Sequence, residues 1–154
     1  MEERDPDRRR ERNWPPHAIT KIHDRHYLNR IKGSRGASVT TIIPPDMVEM
    51  VNEDLAAINR GDGTRLPDNR FAYRGRVYAW ERGSTGYPVS GPGFIVADRF
   101  TYSAIQTFVR HGGVNAGSMN ELQRNPHLPG ASVELAKECW RKRTNRSGND
   151  DLLD

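Results

Sequence analysis

Histidine and cationic side chains are concentrated in one short stretch, HAITKIHDRHYLNRIKGSRG, which covers residues 17–36. It holds three of the five histidines and five Lys or Arg residues against a single Asp. Cleavage of RNA without a metal needs a base for the 2′-hydroxyl, an acid for the leaving 5′-oxygen and a cation for the charged phosphorane. Imidazole suits the two proton transfers because its ordinary pKa is about 6.5. Lys or Arg suits the third role.

The spacing of these groups matters only if the stretch is helical, and its composition predicts a helix from His17 to about Lys32. Residues three or four positions apart share one side of a helix. One side of the predicted helix carries His23, His26 and Arg30. Another side carries His17, Lys21 and Arg25. We predict that His23 and His26 transfer protons and that Arg30 or Lys21 stabilises the phosphorane. The alternative is a solvated basic helix whose histidines have no chemical role.

No metal or cofactor is predicted at this stretch. His23 and His26 have no carboxylate on their side of the predicted helix. The chain has one cysteine, Cys139, so a Cys-based zinc site and an intramolecular disulfide are both excluded. The sequence also lacks an H-E-x-x-H motif, an EF-hand loop and a P-loop.

A second candidate site is the segment RFAYRGRVYAWERGSTGYPVSGPG, residues 70–93, in which basic and aromatic residues alternate. Guanidinium groups bind phosphate and aromatic rings stack on bases, so this mixture is typical of single-strand binding. The predicted nucleic-acid-binding residues are Arg25, Arg70, Arg74, Arg76, Tyr78, Trp80 and Arg82. The alternative is an ordinary β-meander with aromatic side chains in its core and arginines in water.

The charge distribution favours an anionic partner. The chain has 154 residues, a net charge of +4 and a pI of about 9.5. Its charged ends, residues 1–13 and 146–154, are predicted to be disordered tails, and the segment between them carries 18 basic and 12 acidic residues. Nucleic acid is the commonest partner of such a surface. No apolar run is long enough to cross a membrane and no secretory signal is evident, so we expect a cytoplasmic protein.

The pattern of elements predicts one α+β domain over residues 14–145, with a small antiparallel β-meander packed against several helices. A helix with one apolar face begins after Pro45 and ends at Gly61, and Asp98 and Gly112 bound another. The dipeptide at 74–75 predicts a hairpin turn. The predicted core residues are Val48, Val51, Leu55, Ile58, Val77, Ile95, Ile105 and Phe108. Further predictions are a strand in ASVTTII, a short buried strand at 94–97, a capping box from Ser118 to Glu121, and a last helix from Ser132 to about Arg143.

The run GRVYAWERGSTGYPVSGPGFIVADR, residues 75–99, follows a helix ending in INRGDG and resembles the C-terminal toxin domains of bacterial polymorphic toxin systems. The resemblance covers about a sixth of the chain. It implies a metal-independent ribonuclease acting in the cytoplasm of a producing or target cell, with a protein inhibitor as a possible partner. No catalytic residue is carried over, because no motif of that family matches residue by residue.

Two other functional classes fit the same residues. A phage or plasmid accessory protein could bind nucleic acid or a protein partner without catalysis. ADP-ribosyl transfer from NAD is the third class, for which YRG at 73–75 and STG at 84–86 are the only matching fragments. The expected Glu-x-Glu pair downstream of them is missing.

Overall fold

The computed structural model describes residues 15, 17–34, 36 and 38–144, so both predicted tails lie outside the described part of the chain. The contacts divide the chain into two compact units. The sheet unit consists of Met1–His23 and Met47–Phe94, and the helical unit of Asp24–Asp46 and Ile95–Asp154, as far as these ranges are described. Helices and strands together confirm the α+β class. The prediction that residues 14–145 form a single domain stays a prediction.

The sheet unit contains a five-stranded sheet. Its strands are β1 (Lys21–Ile22), β3 (Thr64–Leu66), β4 (Arg70–Tyr73), β5 (Arg76–Arg82) and β6 (Thr85–Ser90). The strand order is β1-β6-β5-β4-β3, and the pairs β3–β4, β4–β5 and β5–β6 are antiparallel, which confirms the meander. Arg74 and Gly75 form the predicted hairpin turn, and both have positive φ, 53° and 82°. β1 adds to β6 in parallel.

Helix α1, Val48–Arg60, confirms the clearest helical pattern of the sequence. Val51, Leu55 and Ile58 are buried along one side, as their spacing requires. Gly61 ends the helix with a left-handed φ of 94°, and its N–H donates to carbonyls of the last turn.

The helix predicted over residues 17–32 is wrong. The backbone N–H groups of Thr20 and Lys21 donate to the carbonyl of Ser84 at 2.9 and 3.1 Å, and the chain continues as β1. The side-chain amide of Asn59 accepts from the N–H of Ile19 at 2.9 Å and donates to its carbonyl at 3.1 Å. A Cβ on Gly86 would lie 2.8 Å from Ile19 Cγ2, so the glycine allows the close approach. These long-range partners supply the backbone hydrogen bonds that a helix would otherwise supply.

The helical unit combines a two-stranded antiparallel sheet with three helices. Its elements are β2 (Thr40–Ile42), β7 (Ile95–Ala97), α2 (Arg99–His111), α3 (Ala116–Gln123) and α4 (Gly130–Thr144). Short 3-10 helices cover Asp24–His26 and Leu28–Arg30. The core is formed by Leu28, Ile31, Ile42, Ala97, Tyr102, Ala104, Ile105, Phe108, Leu122, Ala136 and Cys139. Burial raises the pKa of the Cys139 thiol to about 11.

Helix ends in this unit follow local sequence signals, with one difference. The Asp98 carboxylate accepts from the Thr101 N–H at 2.7 Å and Gly112 ends α2 in a left-handed conformation, as predicted. The capping box lies one turn earlier than predicted, because Asn115 and not Ser118 is the N-cap. The Ser118 hydroxyl instead forms the second half of the box, because it accepts from the Asn115 N–H at 2.9 Å.

The predicted core is confirmed at five of its positions, Val51, Leu55, Ile58, Ile105 and Phe108, which are buried. Val48, Val77 and Ile95 are only half-buried. The strand predicted at 94–97 is present as β7, but it is not fully buried, because Val96 keeps 58% of its surface exposed. This difference follows from strand alternation, because Val96 points to the opposite face from Ala97, which belongs to the core. Within the described residues, the helices lack the length and apolar character needed to cross a membrane.

Candidate nucleic-acid interface

The strand register brings together three polar side chains from separate segments of the sheet unit. Lys21 on β1 pairs with Thr85 on β6, and Thr85 pairs with Arg82 on β5. Directly paired residues point to the same side of a sheet, so the three side chains share one face. Lys21 and Arg82 are exposed and Thr85 is half-buried.

A neighbouring row on the same face adds an aromatic ring and a third cation. Tyr87 lies two residues beyond Thr85 and pairs with Ala79, which pairs with Arg70. Ala79 is buried, Tyr87 is half-buried and Arg70 is exposed. We call the surface formed by Lys21, Arg70, Arg82, Thr85 and Tyr87 the outer face. The opposite surface, which packs on α1, is the inner face.

Arg82 reaches the outer face because the β5–β6 ladder is irregular. Trp80 pairs with Gly86, and the next pair is Arg82 with Thr85, so Glu81 is inserted between two pairs. Strict alternation would put Trp80 and Arg82 on one face. The inserted residue moves Arg82 to the other face, as β-bulges do.

The outer-face cations differ from Arg60, Arg74 and Arg76 of the same unit, which have acidic partners. Among the described residues, no carboxylate forms an ion pair with Lys21, Arg70 or Arg82. Arg60, by contrast, lies 3.0 Å from Asp62. The outer face therefore carries positive charge that the described part of the unit leaves uncompensated.

Arg76 and Tyr78, both predicted to contact nucleic acid, point to the inner face and are buried. Arg76 is 4% exposed and Tyr78 is fully buried. The Arg76 guanidinium donates to both carboxylate oxygens of Asp54, at 2.5 and 3.2 Å, and the Tyr78 hydroxyl donates to Asp54 at 2.6 Å. Because a buried charge must be paired, these residues hold α1 on the sheet. They are not accessible to a phosphate or a base, so the sequence-based assignment is corrected here.

The two remaining predicted nucleic-acid contacts of residues 70–93, Arg74 and Trp80, interact with other residues of the sheet unit. Arg74 lies 3.5 Å from Glu53 and 5.2 Å from the centre of the Tyr73 ring, and it is exposed. The Trp80 indole N–H donates to the Gly83 carbonyl at 2.8 Å, and Trp80 is half-buried. Neither residue belongs to the outer face.

The predicted catalytic residues are divided between the units. Lys21 and His23 belong to the sheet unit, whereas His26 and Arg30 belong to the helical unit, as does the predicted nucleic-acid contact Arg25. His23 is exposed and directly follows the last residue of β1. The shared helical side that motivated the prediction is not formed.

His26 is 5% exposed, and both of its ring nitrogens have partners. Nδ1 lies 2.9 Å from the Thr41 carbonyl, which can only accept, so Nδ1 carries the proton. Nε2 then accepts from Arg25 Nε at 3.3 Å. This arrangement fits the neutral imidazole and links the first 3-10 helix to β2. The acid–base role of His26 stays a prediction.

Arg30 also has neighbours within the helical unit. Its guanidinium lies 3.7 Å from the Asp24 carboxylate and 4.3 Å from the centre of the Tyr27 ring. Burial raises the pKa of Tyr27, and the positive charge of Arg30 opposes that shift. Arg30 is half-exposed, so these contacts orient it without covering it.

An imidazole–carboxylate pair on the helical unit was not predicted. His111 Nε2 lies 2.7 Å from Glu121 Oε1, and Arg110 donates to the other oxygen of the same carboxylate. Hydrogen bonds from His111 and Arg110 lower the pKa of Glu121. Arg110 also donates to the Gly33 carbonyl at 2.8 Å, so the cluster connects α2, α3 and the segment at Gly33. The helix-terminal position of the two basic residues is the only signal that sequence offered.

Comparison with family models, curated proteins and solved structures finds no significant match for the chain. The resemblance to toxin domains therefore stays a prediction. Within the described residues, no group of three or more His, Cys, Asp or Glu side chains is arranged to hold a metal ion.

Proposed function

We propose that the outer face of the sheet unit binds the phosphate backbone of single-stranded nucleic acid, with RNA as the principal ligand. The observation that carries this proposal is the absence of an acidic partner at Lys21, Arg70 and Arg82 within the described residues. A cation without an internal counter-ion loses no ion pair when it binds a phosphate. Each phosphate contact also releases condensed counter-ions, which favours binding at low salt.

The composition of the outer face favours a single strand over a duplex. Tyr87 is half-buried in the row that holds Arg70, so it places an aromatic ring beside the outer-face cations. Stacking on a base contributes about 1–3 kcal/mol and requires an unstacked base. The Thr85 hydroxyl can donate to a phosphate or to a 2′-hydroxyl. The alternative is an ordinary solvated sheet face, and a direct measurement of binding distinguishes the two.

The test compares the parent protein with a variant carrying Lys21→Gln, Arg70→Gln and Arg82→Gln. Affinity for single-stranded RNA, single-stranded DNA and duplex RNA is measured by fluorescence anisotropy at low salt. We expect the variant to lose most of its affinity and the parent to prefer single strands. The matched control is Arg60→Gln, which removes an exposed cation already paired with Asp62 in the same unit. Equal loss in the control, or no binding by the parent, contradicts the proposal.

Metal-independent cleavage of the bound RNA is the second candidate, and the observation favouring it is the position of exposed His23 two residues beyond Lys21. In this reaction the 2′-oxygen bonds to phosphorus while the bond to the 5′-oxygen breaks. His23 accepts the 2′ proton, Lys21 stabilises the charged phosphorane, and solvent water protonates the leaving oxygen. The products end in a 2′,3′-cyclic phosphate and a 5′-hydroxyl.

Cleavage is tested with end-labelled RNA in the presence and absence of EDTA. Loss of a general base typically lowers the rate by about 10²–10⁴-fold, so His23→Ala should remove cleavage and leave binding nearly unchanged. His127→Ala changes an exposed histidine of the helical unit and is the control. If His26→Ala alone removes cleavage in a folded protein, the essential proton-transfer group is His26, one of the two that the sequence predicted. Inhibition by EDTA contradicts metal-independent histidine catalysis, and so does full activity in both His23→Ala and His26→Ala. Either result leaves binding as the function.

A further inference from the structure

The last turn of α4 lies against the segment that follows the second 3-10 helix, within the helical unit. Arg143 Nη1 donates to the carbonyls of Leu28 and Ile31, at 2.7 and 3.1 Å. Lys32 follows Ile31 directly, and Lys142 precedes Arg143. Two basic segments that are far apart in the sequence are therefore held together by one guanidinium group.

The positive charges at this contact are not compensated by described carboxylates. Lys32 and Lys142 are exposed, and no acidic side chain of the described residues forms an ion pair with either. Arg143 is half-buried with two carbonyl oxygens and the Trp140 ring as neighbours. Burial lowers the pKa of Arg143, because its charge loses water without gaining an anion.

Two other basic residues of α4 have acidic partners. Arg141 pairs with Glu138, and Lys137 pairs with Glu134 at 3.3 Å. Basic residues in the last turn of a helix are favoured by the helix dipole alone. That explanation covers Lys142 and Arg143, but it does not cover Lys32, which lies in another segment.

We infer that Lys32, Lys142 and Arg143 form a second phosphate-binding site for nucleic acid, on the helical unit. The choice of nucleic acid as the ligand rests on the proposed function. The position of the second site rests on residues that do not belong to the outer face. The two exposed lysines can contact phosphates, and the Arg143 guanidinium is held in place by the carbonyls of Leu28 and Ile31. The site adds electrostatic affinity and no base selectivity.

A nucleic acid fits these residues better than an anionic membrane surface. Stable membrane attachment by a basic patch usually needs an apolar insertion beside it. The exposed large apolar side chains of the described residues are Val39, Met50, Val96, Val114 and Leu135. The nearest along α4, Leu135, is about two helical turns before Lys142. Within the described part of α4, no exposed large apolar side chain lies nearer to Lys142.

The experiment measures affinity of the full chain for single-stranded RNA as a function of salt. The test variant is Lys32→Gln with Lys142→Gln, and the control is Lys137→Gln, which changes a lysine of the same helix that already has an acidic partner. Removing two phosphate contacts from a single strand should make the slope of log K against log salt shallower by about 1.4. The control should keep the parent slope. Thermal unfolding of each variant confirms that the change is not a loss of folding.

Both proposals can fail separately in this design. If the triple variant of the outer face keeps its affinity while the Lys32 and Lys142 variant loses it, the outer-face proposal fails and the second site remains. A parent slope in the Lys32 and Lys142 variant overturns the second site. Binding to phosphatidylserine vesicles that requires both lysines, with RNA affinity unchanged, also overturns it and assigns the patch to membranes.

Discussion

Arg76 and Arg82 are on the same strand, yet they lie in opposite environments. Arg76 is buried on the inner face and is neutralised by Asp54, with Tyr78 donating to the same carboxylate. Arg82 is exposed on the outer face, in one row with Lys21, and no described carboxylate pairs with it. A buried guanidinium must be paired because desolvation of its charge is costly, whereas an exposed one is solvated by water. The inner face therefore uses its charge for folding, and the outer face keeps its charge available for a ligand.

The largest expected effect is on the inner face. Asp54→Ala leaves the Arg76 charge buried without a partner, and breaking a buried pair in this way costs about 3–5 kcal/mol. We expect that loss in the free energy of unfolding, measured by chemical denaturation. Glu53→Ala, which removes the exposed partner of Arg74, should cost about 0–1 kcal/mol. Equal effects of the two substitutions would remove the distinction between buried and exposed pairs.

A smaller effect is expected from the Tyr78 hydroxyl on the inner face. Tyr78→Phe removes a hydrogen bond to the buried Asp54 carboxylate, and hydrogen bonds to charged groups contribute about 1.5–3 kcal/mol. Tyr102→Phe is the matched control, because the hydroxyl of this buried tyrosine donates to a neutral group, the Arg25 carbonyl, and its loss should cost only about 0.5–1.5 kcal/mol. Denaturation midpoints of the two variants provide the comparison. A loss in Tyr78→Phe no larger than in Tyr102→Phe would contradict the role assigned to the Asp54 carboxylate.

Lowering the pH should destabilise the helical unit, because two partly exposed carboxylates become protonated and lose their interactions. The backbone N–H of Thr101 lowers the pKa of Asp98, and hydrogen bonds from His111 and Arg110 lower the pKa of Glu121. A carboxylate with a lowered folded pKa stabilises the fold above its unfolded pKa, about 4, and loses this contribution as pH falls through the folded pKa. The free energy of unfolding should therefore decrease below about pH 4. Glu121→Gln should make this decrease shallower, and an unchanged pH profile would show that the pairing at Glu121 adds no stability.

The smallest effect on stability is expected from the outer face itself. Exposed substitutions away from packing contacts usually change stability by less than about 0.5 kcal/mol. The Lys21→Gln, Arg70→Gln and Arg82→Gln variant should therefore unfold at nearly the parent denaturant concentration while its RNA affinity falls. A large loss of stability would mean that these cations are structural, and it would remove their contrast with Arg76.

Sequence reasoning succeeded where the signal is local. The apolar spacing and Gly61 predicted α1, Asp98 and Gly112 predicted the ends of α2, and the dipeptide at 74–75 predicted a hairpin. In each of these cases the deciding hydrogen bonds are formed within a few residues along the chain. The α+β class followed from the order of such elements.

The candidate site could not be predicted in the same way, because it depends on contacts between residues that are far apart in the sequence. Alternation in β5 does not show that Asp54, on a helix 22 residues away, neutralises Arg76. The helix predicted over 17–32 was wrong because Asn59 and Ser84 supply hydrogen bonds from distant segments. Lys21 was named from a helical wheel and is instead placed beside Arg82 by strand register. The inserted Glu81, which sends Arg82 to the outer face, has no evident signal in the sequence.

The contrast between the faces is tested most directly by NMR signals of arginine Nε–H groups during titration with single-stranded RNA. Arg70 and Arg82 report on the outer face, and Arg76, whose Nε donates to Asp54, reports on the inner face within the same sample. We predict that the signals of Arg70 and Arg82 shift with saturation while the signal of Arg76 does not move. Binding that shifts Arg76 and leaves Arg70 and Arg82 unchanged would contradict the proposal that the outer face is the nucleic-acid interface.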